Sequence, residues 1–323
     1  MASLLAGYIS GSSVDLARVM ERKGVIRLVS HHTYQSRDFS NLDSILQLHL
    51  RKSRAEFTVA CFGVAGPVIG QTVSTTNLPW RITSAALVKN YGFRKVKLIN
   101  DLVATAHGLS QLDPDRFFTI NNGTDSADGN LGLIAAGTGL GEALIYTDGR
   151  QVYPYASEGG HGDFAPGNQL EVELWQYLYS ELGQVEVEDV VSLRGLQNIF
   201  NFLVDTQGGT RGSWMDRADD PPAAIIETAL AGQDQTASRA LDMFIDCYAS
   251  EAANLALKGM TLGGVYIGGI IAPRIISALG RGRFMRRFVK RGKMESVLAS
   301  VPVRVIIEEK TGLQGAAVVG MTL

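Results

Sequence analysis

The sequence predicts an α/β protein built as two lobes, and three observations carry that reading. Short apolar runs of strand character alternate with segments of helical spacing. The strand–turn–strand layout of residues 4–19 recurs at residues 131–146. The 36 glycines gather in short runs between apolar segments, which marks tight turns and close backbone approach. With 323 residues, 46% of them hydrophobic, the chain is long enough for about two domains with their own cores.

Taken in order, Leu4 to Ile9 is an apolar strand, Ser10-Gly11-Ser12-Ser13 a turn, and Val14 to Val19 a second strand. Gly24 turns the chain into Val25 to Val29. Leu42, Ile45, Leu46 and Leu50 share one helical side of Asn41 to Leu50, with Ser40 as the expected cap. Phe57 to Ala65 reads as a buried strand ended by Gly66-Pro67. Thr83 or Ser84 caps a helix running to Tyr91, with Gly92 as its stop. Val96 to Ile99 is a short strand leading into Asn100-Asp101 and a helix over Leu102 to Leu109. The second part opens with Leu131 to Ala136, the turn Gly137-Thr138-Gly139-Leu140-Gly141, and Ala143 to Tyr146. Helices follow at Leu170 to Leu182, Ala223 to Ala231 and Ser238 to Leu257. A strand over 263–267 enters the turn Gly268-Gly269, and the chain finishes with a strand at Val303 to Ile307 and a helix at Leu313 to Val319. The two hairpins, each opening a mixed sheet, predict a duplicated architecture around a groove.

Composition narrows the function classes. A formal net charge of −2, with 19% charged residues, exerts no global pull on nucleic acid or acidic membranes, so neither partner is expected. Cys61 and Cys247 lie in apolar stretches and read as reduced core thiols of a reducing, cytoplasmic compartment. No second cysteine stands at chelating spacing, no signal peptide is expected at the N-terminus, and no window reaches the ~20 apolar residues of a membrane span.

Four places carry chemistry. Asp101 follows a buried strand and so sits at the carboxyl edge of a sheet, where α/β proteins bind ligands; there it accepts a proton from an attacking hydroxyl, or simply caps the next helix. The Gly137–Gly141 turn brings backbone N–H groups toward phosphate oxygens, or is a plain hairpin turn. It is neither a Walker A loop nor a dinucleotide fingerprint. Glu158-Gly159-Gly160-His161 offers an acceptor and a switchable donor three residues apart, the mixture that sugar hydroxyls want, or is a glycine loop with a surface histidine. Gly268-Gly269 lets a flat base or ribose lie on backbone, or packs a strand on a helix.

Taken together these segments resemble the bacterial glucokinase family of the actin-like and hexokinase superfamily, whose fold is two-lobed and ribonuclease H-like. The likeness covers nearly the whole chain: Gly63-Val64-Ala65-Gly66-Pro67, Thr76-Asn77-Leu78-Pro79-Trp80, Ile99-Asn100-Asp101-Leu102, Ala136 through Gly141, Glu158 through His161, and Gly264 through Gly269 with Ala272-Pro273-Arg274. It implies ATP-dependent phosphorylation of the glucose 6-hydroxyl. Asp101 is then the general base. Asn77, Asn100, Glu158, His161 and Glu188 hold the other hydroxyls. Gly11 and Ser12, with Gly137, Thr138 and Gly139, line phosphate loops, and Gly268 and Gly269 lie against adenosine. Magnesium on the phosphates and a homodimer come with the same likeness; no metal ligand is expected among the side chains. The resemblance implies a small lobe of residues 1–108 with 301–323 and a large lobe of 109–300.

The first phosphate loop departs from the family pattern. Where Asp-(Ile/Val)-Gly-Gly-Thr is usual, the chain reads Tyr8-Ile9-Ser10-Gly11-Ser12. Ile270 and Leu193-Arg194 also replace usual glycine and Gly-Pro. The loss of the aspartate predicts slow turnover, and the alternative is a catalytically impaired sugar-binding or regulatory protein. A basic run from Arg281 to Lys293, with Phe284 and Phe288 among its charges, reads either as a solvated helix face or as an anion-binding segment.

Overall fold

The computed structural model describes residues 3–22, 25–53, 55–75, 78–124 and 129–323. The chain divides into two compact units, Met1–Pro114 with Pro154–Ala156 and Glu308–Leu323, and Asp115–Tyr153 with Ser157–Ile307.

The first unit is a five-stranded mixed sheet covered on both faces. Its strands are β1 (Leu4–Ile9), β2 (Ser13–Arg22), β3 (Val25–Gln35), β4 (Val59–Val64) and, after a small three-stranded sheet of β5 (Val68–Ile69), β6 (Thr72–Ser74) and β7 (Arg81–Thr83), β8 (Lys95–Asn100). The order is β3-β2-β1-β4-β8. β1 and β2 are antiparallel, with Tyr8 opposite Asp15. β4 runs parallel to β1, with Tyr8 opposite Gly63, and β8 parallel to β4, with Val64 opposite Asn100. Because β1, β4 and β8 point the same way, their carboxyl ends share one edge of the sheet.

Among its described residues four α-helices complete the unit: α1 (Leu42–Ser53), α2 (Ser84–Tyr91), α3 (Asp101–Gly108) and, from the far end of the chain, α13 (Thr311–Met321). Leu42, Ile45 and Leu46 of α1 pack with Phe62 and Leu98 on one face of the sheet. Leu313, Ala316 and Ala317 of α13 pack with Ala6, Cys61 and Ile99 on the other. Burial on both faces explains why β4 is an unbroken apolar run rather than an alternating one. The α1 cap is Asn41, whose side-chain oxygen accepts the Ser44 N–H at 2.9 Å, and not Ser40. Thr83 caps α2, and Gly92 ends it at φ 70°.

The second unit repeats the plan. Its strands are β9 (Phe117–Asn121), β10 (Leu131–Ala136), β11 (Leu140–Thr147), β12 (Val152–Ser157), β13 (Gly264–Gly268) and β14 (Val303–Ile306), in the order β12-β11-β10-β13-β14-β9. An antiparallel hairpin, β10–β11, is again followed by two parallel neighbours, β13 and β14. The duplication expected from the layout is therefore one of topology. β14 is hydrogen-bonded between β13 and β9, so residues 303–306, expected with the first lobe, lie in the second unit's sheet, and that unit extends to Ile307.

Nine helices belong to this unit: α4 (Gln169–Leu182), α5 (Leu193–Thr206), α6 (Ser213–Asp216), α7 (Pro221–Leu230), α8 (Gln235–Gly259), α9 (Ile271–Arg274), α10 (Ile276–Leu279), α11 (Arg283–Val289) and α12 (Glu295–Ala299) are those among its described residues. The 25-residue α8 runs through the core, with Phe244 and Tyr248 fully buried. The basic run forms α11 and is less solvated than its composition implies. Phe284 and Phe288 are fully buried, Arg283 bridges Asp242 and Asp246, and Arg287 pairs with the buried Glu171 at 2.9 Å. Cys61 and Cys247 are buried free thiols, and burial pushes Cys61 up to about 12.

Candidate active site

In the first unit, the shared carboxyl edge gathers three of the predicted segments: the turn after β1, Gly66 after β4, and Asn100-Asp101 after β8. Asn100 rather than Asp101 caps α3. Its Oδ1 accepts the N–H groups of Leu102 at 2.9 Å and Val103 at 3.2 Å, and its Nδ2 donates to the Gly66 carbonyl at 3.3 Å. Asp101 begins the helix; one carboxylate oxygen lies 3.0 Å from the Leu102 nitrogen. A carboxylate in the first turn is favoured by the helix dipole. The Thr105 hydroxyl returns to the Asp101 carbonyl at 3.0 Å and fixes that turn. Asn77 lies outside the described residues.

Tyr8 occupies the place where the resemblance leads one to expect an aspartate. Its ring fills a slot left by two glycines: a Cβ at Gly63 would stand 3.2 Å from the ring, and one at Gly312, at the start of α13, would overlap it. Its hydroxyl has Thr105 as hydrogen-bond partner, and burial, with Asp101 nearby, pushes the phenol well above its usual range. Tyr8 is therefore a neutral wedge beside Asp101. The adjoining turn is closed by Ser10, whose Oγ accepts the Ser13 N–H at 3.1 Å. Its side chain folds into its own turn. Gly11 and Ser12 form the tip.

In the second unit, two glycine turns sit side by side. Gly137-Thr138-Gly139 links β10 to β11, and Gly268-Gly269 ends the neighbouring β13, with Gly268 paired to Ala135. Gly269 has φ 82°, and a Cβ there would strike the Ala136 carbonyl, so both the backbone angle and the space demand glycine. The Tyr248 hydroxyl joins these turns from below, accepting the Ala136 N–H at 3.2 Å and lying 3.4 Å from the Gly268 carbonyl. The Gly137 turn is also braced from α5, whose Leu193 N–H donates to the Gly137 carbonyl at 2.8 Å.

Glu188 is turned toward this loop. Its Oε2 accepts the Leu140 N–H at 2.7 Å and packs on Gly139, while Arg194 lies 3.7 Å from its other oxygen and 2.8 Å from Asp189. The Leu193-Arg194 departure thus brings a cation to two acidic neighbours. Glu158 and His161 flank a single 3₁₀ turn, closed by the His161 N–H to the Glu158 carbonyl at 3.0 Å. Gly160 rests on the Leu140 carbonyl, where no Cβ fits. His161 Nδ1 meets Glu186 Oε2 at 2.8 Å, and that bond raises its pKa. Glu186 was not legible in the sequence. It stands in an acidic run with Glu188 and Asp189, and only the bridge between Asp163 and Glu186 brings it to the histidine. Tyr248 gave no signal either, being one apolar position of a helix.

Among the described residues no three His, Cys, Asp or Glu side chains are grouped to hold a metal ion. Tyr8 supplies no charge, and Asp15, opposite it on β2, is engaged by His31 at 2.8 Å and Thr33 at 2.6 Å. Among the described residues these side chains do not make a protein-held magnesium site.

The family model for glucokinase matches residues 5–323. A glucokinase of Nostoc sp. (strain PCC 7120) is 36% identical over 98% of both chains. The crystal structure of a glucokinase from an Antarctic psychrotroph superimposes with a TM-score of 0.84 at 28% identity, covering 100% of each chain. That of the Balamuthia mandrillaris glucokinase in complex with glucose gives 0.83 at 19% identity, over 99% of this chain and 94% of that one, a likeness of fold. The whole length of the chain, with its paired mixed sheets, belongs to the glucokinase family of actin-like sugar kinases.

Proposed function

We propose that the chain transfers the γ-phosphoryl group of ATP to the 6-hydroxyl of glucose, with Asp101 as the general base. Membership of the glucokinase family carries the reaction. The observation that carries the residue assignment is the division of labour at α3: Asn100 takes the cap, so capping does not account for the carboxylate at the sheet's carboxyl edge. In-line attack on the γ-phosphorus needs the hydroxyl proton removed as the new O–P bond forms, and a fixed carboxylate accepts it.

Glu158 and His161 hold ring hydroxyls as acceptor and donor, joined by Asn77, Asn100 and Glu188; Glu188 does so while its Oε2 keeps the Leu140 N–H. Gly11, Ser12, Gly137, Thr138 and Gly139 present backbone N–H groups to the phosphates, and Gly268-Gly269 leaves room for adenosine. Magnesium travels on the phosphates, as it commonly does. Buried reduced thiols, and the absence of any helix among the described residues long and apolar enough to cross a membrane, support a cytoplasmic enzyme. A second reading, a sugar-binding protein without turnover, is favoured by the neutral Tyr8 wedge.

A coupled assay of glucose-dependent ADP release decides between them. Asp101→Asn lowers kcat by about 10²–10⁴ with little change in glucose affinity. Equal rates for both proteins would remove Asp101 as the base. Calorimetric glucose binding by a native protein that releases no ADP would establish the second reading.

A further inference from the structure

Behind the Glu158–His161 turn lies a carboxyl pair that the reaction does not use. Glu142, on β11, is 3% exposed, and Glu251, on α8, is 6% exposed. The two carboxyls are near enough for Glu251 to act on the charge of Glu142, and two buried carboxyls that close share one proton rather than ionise together. Glu142 Oε2 touches Gly159 so closely that no Cβ fits there, and Ser157, which also abuts that place, holds the Gly159 N–H at 3.0 Å. Glu142 Oε1 is buried without a hydrogen-bond partner. β11 is thus the floor of the turn at two points, the Leu140 carbonyl under Gly160 and the Glu142 carboxyl under Gly159.

We propose that Glu142 is a positioning residue for the sugar-binding turn, holding Glu158 and His161 in register through the proton it shares with Glu251. The proposal rests on the reading that this turn binds hexose. Loss of that proton places a second buried negative charge directly beneath Gly159 and pushes the turn away from its floor. Two carboxylates that close cannot both ionise cheaply.

The surroundings give little compensation. From α8 come Glu251 itself, Asn254, which donates to Glu251 Oε2 at 2.9 Å, Lys258, 3.7 Å from Glu251 Oε1 and largely exposed, and the neutral Tyr248. Arg291, beyond α11, feels Glu251. β10 has no titratable residue, β12 has only Tyr153 and Tyr155, and the turn contributes Glu158 and His161. Burial first, then Glu251, raises Glu142 to about 8. The native state therefore holds a proton that the unfolded chain releases near 4.5, and stability falls as pH rises through that window.

A group titrating near 8 is about 10% ionised at pH 7 and about 90% at pH 9. If only the protonated pair holds the turn, glucose KM rises about tenfold over that range, with kcat moving less. Steady-state kinetics from pH 6.5 to 9 on native protein, Glu142→Gln, Glu251→Gln and Glu158→Gln test this. Glutamine mimics the protonated acid, so Glu142→Gln flattens the KM rise and Glu251→Gln, which removes the like charge but leaves Glu142 to titrate, moves the rise to lower pH, while Glu158→Gln raises KM at every pH. A native KM flat with pH, or a Glu142→Gln protein that keeps the native rise, overturns the role of Glu142 and leaves the turn's role intact. A Glu158→Gln protein with native KM overturns the turn's role, and the proposal with it.

Discussion

Gly139→Ala tests how the turn between β10 and β11 is held. Nothing in the backbone angle forbids the methyl group, since Gly139 is not among the positive-φ glycines. What the methyl meets is the Glu188 carboxylate, with its Cδ 3.0 Å away and one oxygen closer still. That carboxylate is the far end of a flexible side chain, so the overlap itself relaxes cheaply. The cost lies in what it releases, the 2.7 Å bond from the Leu140 N–H. Leu140 is 6% exposed, so its amide then stays buried without that partner. A hydrogen bond to a charged group contributes about 1.5–3 kcal/mol, which for a unit of this size is a fall in Tm on the order of 3–10 °C.

The control inverts the sign. In a Glu188→Ala background the bond is already gone, and so are the three atoms nearest the methyl. Gly→Ala then acts only on the unfolded chain and stabilises by about 0.4–1 kcal/mol. Thermal unfolding of the two single variants and the double variant, with KM for ATP measured in parallel, completes the cycle. If Gly139→Ala destabilises equally with and without Glu188, the carboxylate does not brace the turn and the reasoning fails.

Two further outcomes follow from the second unit. Arg287→Ala leaves Glu171, only 1% exposed, without its paired cation, held by the Gly167 N–H and the Asn168 amide alone, and destabilises by about 3 kcal/mol, whereas Arg286→Ala on the same helix changes stability by under about 0.5 kcal/mol; urea melts of both separate a core anchor from a solvated charge. His161 is raised above its ordinary 6.5 first by its bond to Glu186, so its stabilisation is complete below 6.5 and is lost as pH climbs through the raised value. Histidine NMR titration of Glu186→Gln shows that pKa falling back; an unmoved titration refutes the pairing.

The elements most legible beforehand were those specified by neighbours in the chain. β1, β10, and α2 with its Thr83 cap and Gly92 stop match the expected spans because periodicity and turn chemistry are local, while β11 begins at Leu140, inside the expected turn. The caps at 41 and 100 fell one residue from expectation. Adjacent polar residues compete for one cap, and the winner is whichever backbone is extended at the boundary, as Asn100 is at φ −63°, ψ 150°. β9 and β12 were not foreseen: neither is fully buried, and their half-polar runs, FFTIN and VYPYAS, become strands only by pairing at the two edges of the second sheet.

By itself the sequence determined the α/β class, many of its strands and helices in their order, the glycine turns, and a family likeness spread over the whole chain. These are properties of spacing, turn residues and motif order, which survive without coordinates. Only the tertiary structure decided the partners: Glu186 on His161, Glu188 on Leu140, Glu251 against Glu142, and Tyr8 wedged between Gly63 and Gly312. Each pair joins residues far apart in the chain, and charge or neutrality at such a contact is set by burial and distance, neither of which a string of residues contains.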